Sequence, residues 1–405
     1  MTIGFRGRTA AVALAAALLA APATAAHALP GTPPPAAVAT AATTTPAGIP
    51  ELPRPTGPYA VGTEILHLTD HDRTDPWAPD GGPRELMVSV HHPARPGGNG
   101  PAPYMTTEEA RLMLAGRGLE DVVPATTVSS TRTHARTHAP AARGRFPLVL
   151  LSPGFGTPRA TLTSLAEDLA GRGYVVATVD HAYETSGTSF PGGRVLTCAA
   201  CRLLEDAPDQ EAQRKLLTAV STGRAADLSF VLDRLTGRHS AWRHSRMIDA
   251  SRVAVAGHSI GGSAAASALL ADRRFDAGIN MDGSFQERIP AAGLGDRPFM
   301  LLGTDSFHRP GGQDVSWNED WPRLGGWKRW LTVEESGHFT FTDVPLLGEQ
   351  LGLPVDPEAP LPGERSIRIT RDYVAAFLDL HLKGRPQPLL DGPTSANPEV
   401  VFHHP

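Results

Sequence analysis

The sequence predicts an α/β fold, a mainly parallel, doubly wound sheet with antiparallel strands at its N-terminal end. Three observations carry that reading. Nearly all-apolar runs, such as the one opening at Phe146, have the pattern of strands buried on both faces. Stretches with apolar residues at helical spacing stand between them. Turn residues punctuate the runs, giving the β–α alternation of a parallel sheet with helical crossovers.

At 405 residues the chain can bury a large core. Its net charge is only −5, and no Lys/Arg run is dense enough to line a nucleic-acid groove. Residues 1–28 read as a secretion signal. Arg6 and Arg8 form a basic start, and Thr9 to Ala21 is an apolar run too short to be retained as a membrane span. Ala23-Thr-Ala25 and Ala26-His-Ala28 are small-residue cleavage sites. Residues 29–58 are Pro, Ala and Thr with little to bury, and are expected to be a disordered tether. One catalytic domain, 59–405, is expected to follow. It contains no second long apolar segment, so the mature protein should be soluble and extracellular.

Val61 to Thr69 and Glu85 to His91 read as antiparallel strands bounded by Pro and Gly. Thr106-Thr-Glu-Glu109 is a capping signature that opens a short helix. Val123 to Arg145 lacks periodicity and reads as a solvated insertion loop. Its His134 and His138 have no carboxylate or Cys nearby in sequence, so no metal is expected. The Phe146 strand leads into a helix (Thr161 to Arg172) and a strand (Tyr174 to Asp180). Leu217, Val220, Leu228, Val231 and Leu235 mark a helix inside Pro208 to Gly237. Three further strands, at Ala277, Phe299 and Trp330, precede a last helix, Ser366 to Lys383, stopped by Gly384. Cys198 and Cys201 are the only cysteines. In an exported chain they read as a loop-stapling disulfide rather than half of a zinc site.

The chemistry concentrates at Arg252-Val-Ala-Val-Ala-Gly-His-Ser-Ile-Gly-Gly262. A buried strand meets Gly-x-Ser-x-Gly and then a helix of small residues, which is the context of a nucleophile elbow at Ser259. A serine hydroxyl needs a histidine base and a carboxylate that orients it. In α/β-hydrolase order the acid follows the serine and the histidine comes last. His338, after the Trp330 strand, fits that place, with His308 its rival. Asp282 and Asp305 each end a strand, and spacing alone leaves both open as the acid. Oxyanion donors are expected at Ile260 N–H and in the glycine-rich loop Ser152-Pro-Gly-Phe-Gly156. Trp317, Trp321, Trp327 and Trp330 crowd the sequence before His338, and read as lining an acyl pocket or an interface with lipid, with core packing an equal explanation for some.

Leu151-Ser-Pro-Gly-Phe-Gly156, Val179-Asp-His181, Gly257-His-Ser-Ile-Gly-Gly262, Asn280-Met-Asp-Gly283 and Gly337-His-Phe-Thr-Phe-Thr-Asp343 together resemble the platelet-activating factor acetylhydrolase family. The type is that of the plasma and intracellular type II enzymes and their bacterial relatives, and the resemblance runs from about Val61 to the C-terminal helix. It implies an α/β-hydrolase fold with Ser259, Asp282 (rather than Asp305) and His338 as the triad. It also implies Phe155 and Ile260 as oxyanion donors and no cofactor. The implied activity is a secreted serine esterase that removes short or oxidised acyl chains from phospholipid-like esters, touching a lipid interface transiently. A general lipase or polyester hydrolase, or an acyltransferase, would use the same triad. Two regions depart from the family pattern. The oxyanion loop is Ser-Pro-Gly-Phe-Gly where many relatives have Ser-His-Gly, and Thr185 to Cys201 carries the cysteines.

Overall fold

In the computed structural model, which describes residues 48–404, a ten-stranded sheet organises the chain. The expected secretion signal and the tether as far as Ala47 lie outside the described residues. β1 (Ala60–Thr74) and β2 (Pro83–Ala94) are antiparallel, and β3 (Arg136–Thr137) adds to the edge of β1. β4 (Phe146–Ser152) and β5 (Val175–His181) are parallel neighbours, and β5 pairs antiparallel with β2. β6 (Thr188–Ser189) and β7 (Val195–Leu196) make a separate small hairpin. From β4 the sheet continues in parallel through β8 (Ile248–His258), β9 (Ala277–Met281), β10 (Phe299–Thr304) and β11 (Lys328–Val333). β12 (Val400–His403) closes that side antiparallel. The order β12-β11-β10-β9-β8-β4-β5-β2-β1-β3 is the α/β-hydrolase arrangement expected.

The helices in chain order are α1 (Thr107–Ala115), α2 (Ala125–Ser129), α3 (Thr163–Gly171), α4 (Ala199–Glu205) and α5 (Gln210–Thr236). They continue with α6 (Ile260–Ala271), α7 (Asp305–His308), α8 (Val315–Asp320), α9 (Val344–Gln350) and α10 (Gly363–Lys383). Strand period two divides the core. Leu148, Leu150, Val253 and Val255 pack with α5 and α6 on one face. Val149, Leu151, Ala254 and Ala256 pack with α3 and α10 on the other. Burial on both faces is why these strands carry no alternating polar residues. The Thr106–Glu109 signature is a complete capping box, and Gly384 ends α10 in the left-handed region at φ 64°. No described helix is long and apolar enough to cross a membrane.

Two expectations need correction. The tether does not extend to Pro58. Leu52 is 1% exposed, Arg371 donates to the carbonyls of Pro53 (2.9 Å) and Arg54 (3.0 Å), and Thr56 bonds Asp168 at 2.8 Å. Proline-rich chain is ordered here because buried side chains of α3 and α10 supply the donors and acceptors that its backbone lacks. Nor is 123–145 a solvated loop. It holds α2 and β3, and the Glu167 carboxylate accepts from the backbone N–H groups of His134 (3.0 Å) and Ala135 (2.6 Å). Of the places left open for the tryptophans, they take the core. Trp317 and Trp330 are fully buried, bonded to the carbonyls of Gly283 and His308, and Trp327 packs on Phe377 and His381 of α10.

A buried ionic cluster fills the space below the C-terminal ends of β4 and β5. The Arg84 guanidinium reaches Asp75 (3.0 Å), Glu184 (2.7 Å) and Asp227 (2.8 Å), and also the Ala182 carbonyl (2.8 Å). Arg224 bonds Glu184 at 2.6 Å, and His181 Nδ1 donates to Asp227 at 2.7 Å. Burial opposes the charge on Asp227, yet Arg84 and His181 hold its carboxyl well below the usual range. Removing one member of such a set strands the others without water. Asp227→Ala should therefore cost about 3–5 kcal/mol of stability, read as a lower urea midpoint. A loss below about 1 kcal/mol would show that the cluster relaxes around the gap.

Candidate active site

β8 delivers the chain to the sheet's C-terminal edge, and α6 carries it away. Between them Ser259 adopts φ 56°, ψ −127°, a backbone strained for any residue with a Cβ. The turn is this tight because glycine sits on either side. A methyl group at Gly257 would overlap the Gly261 backbone, and one at Gly261 would overlap the Ser152 carbonyl of β4. The resulting geometry points Ser259 Oγ out of the turn toward His338.

His338 begins a 3₁₀ turn, residues His338–Phe341, after β11, and its side chain is 47% exposed. Its Nε2 lies 3.0 Å from Ser259 Oγ, and its Nδ1 lies 2.6 Å from Asp282 Oδ2. Asp282 follows β9 with φ 58° and is almost fully buried. An ionised carboxylate only accepts, so Nδ1 carries the proton and Nε2 is left to accept from the serine hydroxyl. The other oxygen of Asp282 accepts from the Thr304 N–H (2.7 Å) and hydroxyl (3.0 Å) and from His308 Nδ1 (2.7 Å). Burial opposes ionisation of Asp282, but His308 and His338 outweigh it and hold the carboxyl well below the usual range.

Of the two acids left open by spacing, Asp282 meets His338. Asp305 starts α7 on the next strand, where its Oδ1 accepts from Thr332 Oγ1 at 2.7 Å. His308, the rival base, is 1% exposed and backs Asp282 instead of reaching the serine.

Phe155 and Ile260 also come together, their side chains sharing a small apolar cluster with Trp77, Ala200 and Val220. Among the described residues neither backbone N–H donates to another protein group. The rest of the Ser152–Gly156 loop is tied down. Gly156 N–H donates to the Glu184 carbonyl (2.9 Å), and its carbonyl accepts from Ser186 N–H (3.0 Å). Arg224 donates to the Pro153 carbonyl at 2.5 Å, linking the loop to the buried ionic cluster. Cys198 and Cys201 are joined at the start of α4, and the Cys201 sulfur lies beside Gly156.

Sequence reasoning missed His258, which occupies the variable position of Gly-x-Ser-x-Gly. Its ring stands 4.7 Å from that of His338, and Nε2 lies 2.6 Å from the His338 carbonyl. Burial, then the neighbouring His338, push His258 down to about 3, so it is a neutral donor that clamps the histidine loop. The one signal for it was a histidine on an otherwise apolar buried strand. The assembled groups can activate a hydroxyl, orient the base and receive negative charge on a carbonyl oxygen, which is the equipment of acyl transfer.

The model of the family described as platelet-activating factor acetylhydrolase, isoform II, matches residues 109–191 and 214–386. A probable 1-alkyl-2-acetylglycerophosphocholine esterase of Arthroderma benhamiae is 29% identical over 87% of this chain and 93% of that protein. The platelet-activating factor acetylhydrolase of Canis lupus familiaris is 23% identical over 62% of this chain and 61% of its own length. A solved ferulic acid esterase from Streptomyces cinnamoneus is 45% identical, with a TM-score of 0.78, over 88% of this chain and all of that one.

The choice of acid is open to a paired test. Asp282→Asn should lower kcat on a soluble ester by about 10⁴-fold, because the amide favours the wrong imidazole tautomer. Asp305→Asn should cost only the Thr332 bond, about 1 kcal/mol of stability, and leave kcat near its starting value. The reverse pattern would transfer the role to Asp305.

Proposed function

The chain belongs to the platelet-activating factor acetylhydrolase, isoform II, family, and on that premise we propose that it is an exported serine esterase working through an acyl-Ser259 intermediate. The observation that carries this is the continuous line Ser259 Oγ–His338–Asp282, at 3.0 and 2.6 Å. Ser259 Oγ attacks the ester carbonyl carbon while its proton passes to His338 Nε2. The carbonyl oxygen, now negative, is met by the N–H groups of Phe155 and Ile260. The tetrahedral centre collapses, the C–O bond to the alcohol breaks, and His338 returns the proton to the departing oxygen. Water then repeats the sequence on the acyl-serine and releases the acid. No cofactor takes part in these steps.

Phe155, Tyr183, Leu216 and Leu217 pack around Ile260 and Trp77, so apolar and aromatic surface adjoins the oxyanion side. A flat hydroxycinnamoyl group suits such a wall, and the 45% identity with a ferulic acid esterase supports that substrate class. The second reading is a short-acyl, phospholipid-like ester, supported by the family model and by the 93% coverage of the Arthroderma protein. Methyl ferulate, a short-acyl ether phospholipid and p-nitrophenyl esters of rising chain length, assayed side by side, rank the readings. A preference for long acyl chains would overturn both in favour of a lipase or polyester hydrolase. Transfer to added alcohol in preference to water would reveal an acyltransferase.

Ser259→Ala should keep the fold and lower ester hydrolysis by roughly 10⁴-fold or more, with loss of fluorophosphonate labelling. Labelling that persists in that variant would place the nucleophile at another serine. Export is tested separately by intact mass. The mature N-terminus should fall near Ala26 or Leu29, and reductant should raise the mass by opening Cys198–Cys201. Retention of the first 25 residues in the extracellular protein would overturn the cleaved-signal reading.

A further inference from the structure

Asp282 faces a second histidine. His308 lies on the far side of the carboxylate from His338, with Nδ1 2.7 Å from Asp282 Oδ1. Its other nitrogen, Nε2, is buried and stands 3.1 Å from Asp314 Oδ2, within ion-pair distance but outside hydrogen-bond geometry. Asp314 is itself fixed, accepting from Ser316 N–H and hydroxyl at 2.8 Å each. Each ring nitrogen of His308 thus meets a carboxylate. An imidazole can serve both only by carrying both protons, as a cation.

Orientation of Asp282 does not require that cation. Thr304 already supplies two donors to the same oxygen, and His338 holds the other. Nor can His308 meet substrate. Its ring is stacked on Trp317 at 4.2 Å and flanked edge-on by Phe307 at 4.9 Å, and Trp330 holds its carbonyl. What His308 adds is charge, placed against the acid in a buried site. Burial would by itself discharge the ring, but Asp282 and Asp314 overcome it and raise His308 to about 9.

We propose that His308 is a positioning residue that acts through Asp282, a buried imidazolium held between Asp282 and Asp314 that divides the acid's negative charge with His338 and so keeps the base free of its second proton in mildly acidic solution. The proposal rests on the triad reading above and extends it to the regulation of that site. A carboxylate serving His338 alone would favour a proton on Nε2 more strongly, closing the acceptor to the serine as pH falls. With a cation on its other oxygen, Asp282 stabilises that second proton less. The remaining charged and titratable neighbours do not substitute for His308. His258, against the His338 ring, is neutral, and the Arg117 guanidinium lies 5.2 Å over the Phe339 ring. Asp305 is occupied by Thr332, with Arg309 at 3.7 Å and His403 at 3.9 Å.

The test compares the pH dependence of kcat/KM for p-nitrophenyl acetate in the wild-type protein and in His308→Asn. The asparagine amide can still donate to Asp282 but carries no charge. The acid limb should move up by about one pH unit, which is about a tenfold loss of activity well below the limb, while the plateau stays within about tenfold. A merely structural role would lower the plateau and leave the limb where it is, and that outcome overturns the proposal. If the variant does not fold, the ¹⁵N spectrum of histidine-labelled wild-type protein decides. Doubly protonated His308 persisting through the whole acid limb supports the proposal, and a neutral ring at pH 7 overturns it. Failure of the triad reading itself would show as activity surviving Ser259→Ala, which neither of these measurements can mimic.

Discussion

The close passage of the Ser152 carbonyl against the turn around Ser259 constrains everything else in the site. β4 and β8 are adjacent and parallel, with Ser152 paired to Gly257, so the end of one strand meets the tight turn that follows the other. Only glycine fits at 257 and 261, because a Cβ at either would overlap backbone. That contact sets the distance between the helix start, which offers Ile260 N–H, and the loop after β4, which offers Phe155 N–H. It also forces Ser259 into its positive φ, at a cost on the order of 1–3 kcal/mol that the surrounding sheet must hold. Loosening the crossing would disperse Ser259 and the two proposed donors together.

Much of this was legible in the residues. Strand, Gly-x-Ser-x-Gly and small-residue helix are local features, and each reports a local physical need. His338 was legible from chain order, since the last parallel strand has to end beside the others. The acid was not legible from spacing, because Asp282 and Asp305 end neighbouring parallel strands and differ by one position across the sheet. Which one faces the histidine depends on how the chain leaves β9, with Asp282 in the left-handed region, and that is set by tertiary contacts. The place of the tryptophans was not legible for a related reason. Aromatic residues close in sequence to His338 sit around His308 in the core, with Trp317 stacked on its ring and Trp330 edge-on to Trp317. Residues 48–58 look structureless by composition, and are ordered by Asp168 and Arg371, which lie over a hundred and over three hundred residues away.

The reactive line between Ser259 and His338 is open to solvent, yet dry charge lies on both sides of it. On the side of the proposed oxyanion donors, Arg84, Arg224, Glu184 and Asp227 tie down the loop that carries Phe155. On the acid side, His308 and Asp314 stand behind Asp282. Charges in such surroundings interact more strongly than on a surface and are screened little by salt. Fixed dipoles and ions that need no reorganisation during reaction are the most effective electrostatic support a site can have. Neither cluster has a local sequence signature, since the members come from strands, loops, α5 and α7.

The Arg84 cluster carries a consequence for how this protein can change over generations. Because each ion satisfies several others, any single replacement leaves an uncompensated charge in a dry interior, whereas exchanging the whole set for apolar side chains can be neutral or better for stability. Descendants of this sequence are therefore caught in a ratchet. The cluster is hard to leave one mutation at a time, even if the foldedness it once provided could be had more simply. Drift should be free on the outer faces of β1 and α5 and nearly frozen at Arg84, Glu184, Arg224 and Asp227, and the loop anchored to Arg224 would be held in place along with them.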